Sequence, residues 1–207
     1  MATAVKICGI TRIDDALHAA RCGAHAIGLV FHPASPRGVE IDAARSIVQA
    51  LPPFVSAIGL FVDAKVEFVQ AVMRSVRLSA LQFHGDEPEA YCTQFLLPYL
   101  KAVRVRPETD LLQWAEAYPS AQGLLLDAFA PNQHGGTGET FDWALIPTEL
   151  NRPVILAGGL TPDNVERAVR HVRPWAVDVS SGVESAKGIK DADKVSAFIR
   201  GARHADV

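Results

Sequence analysis

Two side chains stand where proton-transfer chemistry could use them. Cys8 lies in Lys6-Ile7-Cys8-Gly9-Ile10-Thr11 at the end of the first apolar run, and Asp127 closes the run Leu124-Leu125-Leu126. A thiol acts as a base only as thiolate. With an unperturbed pKa of about 8.5, it needs a positive neighbour or a cationic intermediate beside it at neutral pH. Lys6 is one source of that charge, because strand side chains two residues apart share a face and Lys6 therefore sits one layer below Cys8. The same period puts Leu125 and Asp127 on one face. A lone cysteine is most often a small buried hydrophobe. Asp127 is harder to dismiss, since a carboxylate among apolar residues costs free energy unless it is paired; the alternatives are an acid–base role or a structural cap or ion pair.

Other residues suit the holding of a ligand. Gly158-Gly159 ends one β-rich run, and Ser180-Ser181-Gly182-Val183-Glu184 ends the next. Backbone N–H groups of such turns, with the positive end of a short helix, bind phosphate. Arg37, in His32-Pro33-Ala34-Ser35-Pro36-Arg37, offers a guanidinium for bidentate capture of a carboxylate, against the plainer reading of a solvated loop arginine. His84, in Gln82-Phe83-His84-Gly85-Asp86, ends another run, where it would orient or line a ligand. Asp178 shares a face with Ser180 and is placed either to bind a substrate hydroxyl or to pair with Lys6. The stretch Gly135-Gly136-Thr137-Gly138 lacks the Gly-Lys-Ser/Thr ending of a nucleotide loop and reads as a lid, a ligand-lining loop or a connector.

These residues must be positioned by a regular alternation. Short β-rich runs at 5–10, 26–31, 56–62, 80–84, 100–105, 123–128, 153–159 and 176–181 alternate with helical periodicity near 13–22, 41–50, 64–75, 87–97, 109–117, 141–146, 162–172 and 191–203. Thr161, followed by Pro162 and Asp163, reads as an N-cap, as does Asp191 before the last helix. Eight βα units either form an open doubly wound sheet or close into a barrel. No GxGxxG follows the first run, and the tight Cys-Gly-Ile-Thr turn favours a single-domain (β/α)8 TIM barrel over 1–207, with its site at the C-terminal ends of the strands. Trp114, Trp143 and Trp175, with Cys22 and Cys92, are expected to pack on helices.

Composition agrees with a soluble enzyme. At 49% apolar and 21% charged residues, the 207-residue chain can bury a full core. A net charge of −3 with interspersed signs gives no nucleic-acid-binding surface. No apolar run approaches the roughly 20 residues that span a bilayer. The three cysteines show neither metal-ligand spacing nor a preceding secretory segment, so no metal site is expected and a reducing cytoplasm is the expected location.

The strings KICGIT, FHPASPR, QFHGDE, DAF with GGTGETFDW, LAGGLTPDNV and DVSSGVES occur in order along almost the whole chain. In this the sequence resembles the phosphoribosylanthranilate isomerases of tryptophan biosynthesis. The resemblance implies a (β/α)8 barrel and a cofactor-free Amadori rearrangement of N-(5-phospho-β-D-ribosyl)anthranilate to 1-(2-carboxyphenylamino)-1-deoxy-D-ribulose 5-phosphate. It implies Cys8 as general base, Asp127 as general acid, Arg37 against the anthranilate carboxylate, and phosphate at the turns of Gly158, Gly159, Ser181 and Gly182. Phe83 replaces the leucine common in the family, a conservative change.

Two rival readings are distinguishable. The histidine-pathway isomerase barrel performs the same rearrangement on a bisphosphorylated substrate, but it carries an aspartate at the position of Cys8 and a second phosphate turn. A non-catalytic phosphosugar-binding barrel would need Arg37 and the glycine turns but neither Cys8 nor Asp127. The expected partner is a small phosphosugar–anthranilate substrate, and the chain is expected to be a monomer or homodimer, with no heptad run demanding association.

Overall fold

The computed structural model describes residues 2–128 and 141–205. Eight parallel strands close a barrel in chain order. They are β1 (Ala4–Ile7), β2 (Ala26–Val30), β3 (Ser56–Phe61), β4 (Ala80–Phe83), β5 (Tyr99–Val105), β6 (Gly123–Ala128), β7 (Val154–Leu156) and β8 (Ala176–Val179). The barrel closes where β1 pairs β8, with Lys6 in register with Asp178. The expected (β/α)8 architecture is therefore present.

Alternation along the strands separates two cores. Ala102, Leu125, Ile155, Ala157 and Ala176 form one apolar cluster, and Cys8, Val30 and Leu60 form another. These residues point into the barrel, as the period of two requires. Their neighbours Ile7, Ile27, Leu29, Leu81, Leu156 and Val177 belong to a larger outer cluster that receives the helices. Apolar packing fills the N-terminal half of the interior, and Cys8, Val30, Leu60 and Ala157 also line the C-terminal mouth beside its polar groups.

The helices are α1 (Ile13–Cys22), α2 (Ile41–Ala50), α3 (Val66–Ser75), α4 (Glu89–Cys92), α5 (Leu111–Ala117), α6 (Val165–Val172) and α7 (Ala192–His204). Asp191 caps α7 as expected, accepting from Lys194 N at 3.0 Å. Three expectations need correction. The segment 87–97 holds only the single turn α4 and a 3₁₀ turn, Thr93–Phe95, ended by Leu96 at φ 56°. Glu87 is drawn inward to a buried lysine, and Pro88 then restarts the chain. The segment 141–146 holds only a 3₁₀ turn, Trp143–Leu145, which Pro147 prevents from continuing. Among the described residues the Thr161 side chain makes no cap hydrogen bond: Asn164 accepts from Thr161 N at 2.8 Å and donates to Gly159 O at 2.9 Å, and α6 starts after it. Trp114 stacks on Tyr118 and Trp143 packs against the core, whereas Trp175 is 56% exposed. The expected loop at Gly135 to Gly138 lies outside the described residues.

The connection from β8 to α7 contains a small hairpin, β9 (Glu184–Ala186) with β10 (Ile189–Lys190). It is stitched to the loop after β1. Thr11 Oγ1 donates to Gly188 O at 2.5 Å, and Asp15, itself gripped by Arg12, accepts from Lys190 N at 3.1 Å.

Candidate active site

Cys8, Arg37, His84, Asp127, Gly158, Gly159, Asp178, Ser181 and Gly182 all line one cavity at the C-terminal ends of the strands. Every residue expected at the site is therefore brought together, from β1, β2, β4, β6, β7 and β8 or the loops that follow them. A wider cavity at the opposite, N-terminal end is lined by Ala2, His25, Trp143 and Trp175 and contains none of them.

Cys8 is 5% exposed and stands over Lys6, which is 4% exposed. Both converge on Gly28 of β2. A Cβ there would lie 2.7 Å from Cys8 Sγ and 2.9 Å from Lys6 Nζ, so the missing side chain of Gly28 makes room for the pair. Lys6 Nζ donates to Asp178 Oδ1 at 2.8 Å, so the pairing of Asp178 with Lys6 holds. Burial pulls the Lys6 ammonium down, but Asp178 and Cys8 outweigh it and hold it well above its usual range. For Cys8 the balance runs the other way from what its neighbour alone suggests. Burial pushes the thiol up and the Asp178 carboxylate adds to it, against the opposing pull of Lys6 and, more weakly, Lys190. The thiol form is favoured, and added positive charge is needed to produce thiolate.

One consequence is a pH-dependent reactivity. Because Lys6 lowers the Cys8 pKa, its removal raises that pKa, and the pH at which Cys8 alkylates must climb. Lys6→Met combined with Asp178→Asn, which avoids stranding a buried carboxylate, is expected to shift iodoacetamide modification of the Cys8 peptide to higher pH than in the parent chain. Peptide mass spectrometry separates Cys8 from Cys22 and Cys92; an unchanged or lower profile would show that the lowering by Lys6 does not exceed the raising by Asp178.

Across the mouth, Asp127 is 6% and His84 8% exposed. Gln82 Nε2 donates to His84 Nδ1 at 2.9 Å, which leaves the ring proton on Nε2 for donation to Asp127 Oδ2 at 3.2 Å. Asp127 Oδ1 faces the glycine turn. A Cβ on Gly158 would fall 2.9 Å from Oδ1 and 2.2 Å from Ala128 N, and φ of 75° and 65° at Gly158 and Gly159 lie in the left-handed region that favours glycine. Gly182 packs on the same turn, since a Cβ there would lie 1.9 Å from Leu160 O. The two glycine turns thus form one continuous surface.

Gln82, which lines the cavity, and Glu184 and Lys190, which bond to Arg37 and Ser180 of its lining, escaped the sequence reading as site residues. Period two gave the means to find Gln82, which shares a face with His84. Among the described residues its Oε1 and the Oγ of Ser180 are buried without a hydrogen-bond partner, and both residues line the cavity. An unmet buried polar atom costs about 1–3 kcal/mol, so both are better satisfied by a polar ligand.

The sequence profile of the family described as "N-(5'phosphoribosyl)anthranilate (PRA) isomerase" matches residues 5–201. The chain belongs to this family. It is a phosphoribosylanthranilate isomerase family enzyme of tryptophan biosynthesis, in agreement with the resemblance of its motifs. The N-(5'-phosphoribosyl)anthranilate isomerase of Thiobacillus denitrificans is 58% identical, covering 98% of this chain and 99% of the relative. A solved phosphoribosyl anthranilate isomerase in complex with reduced 1-(o-carboxyphenylamino)-1-deoxyribulose 5-phosphate is 41% identical with a TM-score of 0.85, covering 98% of this chain and 99% of its own. A structure described as mutually generated monomers of the dimeric Thermotoga maritima isomerase is 39% identical, also at TM-score 0.85 and with the same coverage.

Proposed function

We propose that Cys8 and Asp127 carry out the rearrangement of N-(5-phosphoribosyl)anthranilate as base and acid. The carrying observation is that these two groups, from β1 and β6, line one cavity with Arg37 and two glycine turns. Asp127 already accepts from His84 through Oδ2, so Oδ1 is the oxygen to hold a transferable proton. Delivered to the ribosyl ring oxygen, that proton breaks the bond from C1 to the ring oxygen and leaves a cation shared between C1 and the anthranilate nitrogen. Cys8, its thiol proton lost to solvent as this cation forms, then takes the C2 proton as thiolate and gives an enolamine. Movement of the enol proton from O2 to solvent and of a proton to C1 completes the ketose, and exchange with solvent resets both side chains.

This sequence answers the charge problem at Cys8. The intermediate cation supplies the positive charge that Lys6 alone does not, and it does so at the step where thiolate is used. Arg37 takes the anthranilate carboxylate, Gly158, Gly159, Ser181 and Gly182 take the phosphate, and His84 and Asp178 face the sugar hydroxyls. One phosphate site and a thiol base favour this substrate over the bisphosphate of the histidine pathway, and retention of both proton-transfer groups argues against a binding-only barrel. A reducing cytoplasm suits the free Cys8, and a homodimer is the assembly to expect from the Thermotoga relative's description.

The test is turnover of freshly generated N-(5-phosphoribosyl)anthranilate by the purified chain, followed by loss of anthranilate-type fluorescence. Acceleration far above spontaneous decay is expected. A rate equal to spontaneous decay, with turnover of the histidine-pathway substrate instead, would overturn the assignment.

A further inference from the structure

Arg37 is not alone. Glu184, the first residue of the hairpin, accepts from Arg37 Nε at 2.7 Å and Nη2 at 2.8 Å, a bidentate grip on one edge of the guanidinium. The pair is nearly sealed from solvent, with side-chain exposures of 13% and 6%. The stem of Arg37 lies across Gly9, where a Cβ would come within 2.6 Å of Arg37 Cδ, and Gly9 sits at φ 72°. Stem and head are therefore both fixed.

The geometry leaves a defined edge for a ligand. An arginine has five N–H donors in a planar fork. Glu184 uses the Nε side, and among the described residues the Nη1 side makes no hydrogen bond, while Arg37 lines the cavity that holds Cys8 and Asp127. A carboxylate that merely neutralised Arg37 would spoil it for this purpose, but Glu184 also serves Lys190. Lys190 Nζ donates to Glu184 Oε1 at 2.9 Å and to Ser180 O at 3.0 Å. One buried carboxylate thus faces two cations, so it does not fully neutralise the pair of them, and of the three Arg37 lines the cavity. Arg37 and Lys190 together overcome the burial of Glu184 and hold its carboxyl below the usual range, so it stays ionised.

Resting on the assignment of Arg37 to the substrate carboxylate, we infer that Glu184 is a positioning residue: it holds Arg37 by one edge so that the other edge meets the anthranilate carboxylate, with Lys190 keeping the site cationic. Selectivity for an aromatic amine bearing an ortho carboxylate is then set by a Glu–Arg unit joining the loops after β2 and β8. A misplacement of about 1 Å in such a clamp is enough to cost up to about 100-fold.

The test compares two ligands on the full chain: reduced 1-(o-carboxyphenylamino)-1-deoxyribulose 5-phosphate and the matching phenylamino compound without the carboxylate. Glu184→Ala is expected to weaken the first about tenfold or more and the second no more than about twofold, the scale of one charge-assisted hydrogen bond. Glu184→Gln keeps an acceptor and the side-chain volume, so it should fold as the parent does and lie between. In Arg37→Ala the same selective loss is expected, and adding Glu184→Ala to it should change nothing further. Equal weakening of both ligands by Glu184→Gln would reduce Glu184 to a structural tie, and tighter binding of the first would make it a competitor; either overturns the inference. If Arg37→Ala itself does not distinguish the ligands, the carboxylate assignment fails, and this inference with it.

Discussion

Asp127→Asn is expected to lower kcat/KM by about 10²- to 10⁴-fold, the range a positioned general acid supplies. Asparagine keeps the shape and can still accept from His84 Nε2, so the tautomer fixed by Gln82 is undisturbed. What it lacks is the acidic proton for the ring oxygen. Affinity for the reduced product analogue should therefore stay within about threefold, since a loss confined to the transition state leaves ground-state binding intact. Steady-state kinetics beside fluorescence titration of the analogue separates the two. A variant retaining a tenth or more of the parent rate would remove Asp127 from the acid role.

Lys101→Met is expected to cost about 3–5 kcal/mol of stability, the penalty for leaving one partner of a buried ion pair alone. Lys101 is wholly buried; its Nζ donates to Gly85 O at 2.7 Å and Glu87 Oε2 at 2.9 Å, and it lies 5.5 Å from the centre of the Tyr118 ring. Glu87 in turn accepts from Asp63 N at 2.8 Å and Gly85 N at 3.0 Å. The pair thus ties the loops after β3 and β4 to β5, and Gly85 follows His84 directly. Methionine retains the stem but strands the carboxylate. Urea unfolding monitored by far-UV circular dichroism measures the loss; a change below about 1 kcal/mol would place the network among weak, solvent-screened pairs.

The alternation of eight apolar runs with helical periodicity was enough to reveal the barrel, because each strand carries its own period of two. That period also put Lys6 beneath Cys8, and its application to Gln82 and His84 would have revealed the third member of the Asp127 chain. Elements whose ends depend on distant groups were less legible. The turn at 87–97 is short because Glu87 answers to Lys101, and the Asn164 turn replaces a Thr161 cap because Gly159 needs a partner. The same limit hid Glu184, whose arginine lies 147 residues away in the chain. The Cys8 pKa reverses sign for a related reason: a lysine below a thiol is visible in sequence, whereas the depth of its burial is a property of the closed barrel.

The central claim, that Cys8 removes the C2 proton of the sugar, is tested most directly with substrate deuterated at C2. The parent chain should release deuterium to solvent in step with product formation, and Cys8→Ser, which keeps a side chain of similar size but no accessible anion, should release almost none while still binding the product analogue. Deuterium release by Cys8→Ser at the parent rate would contradict the account.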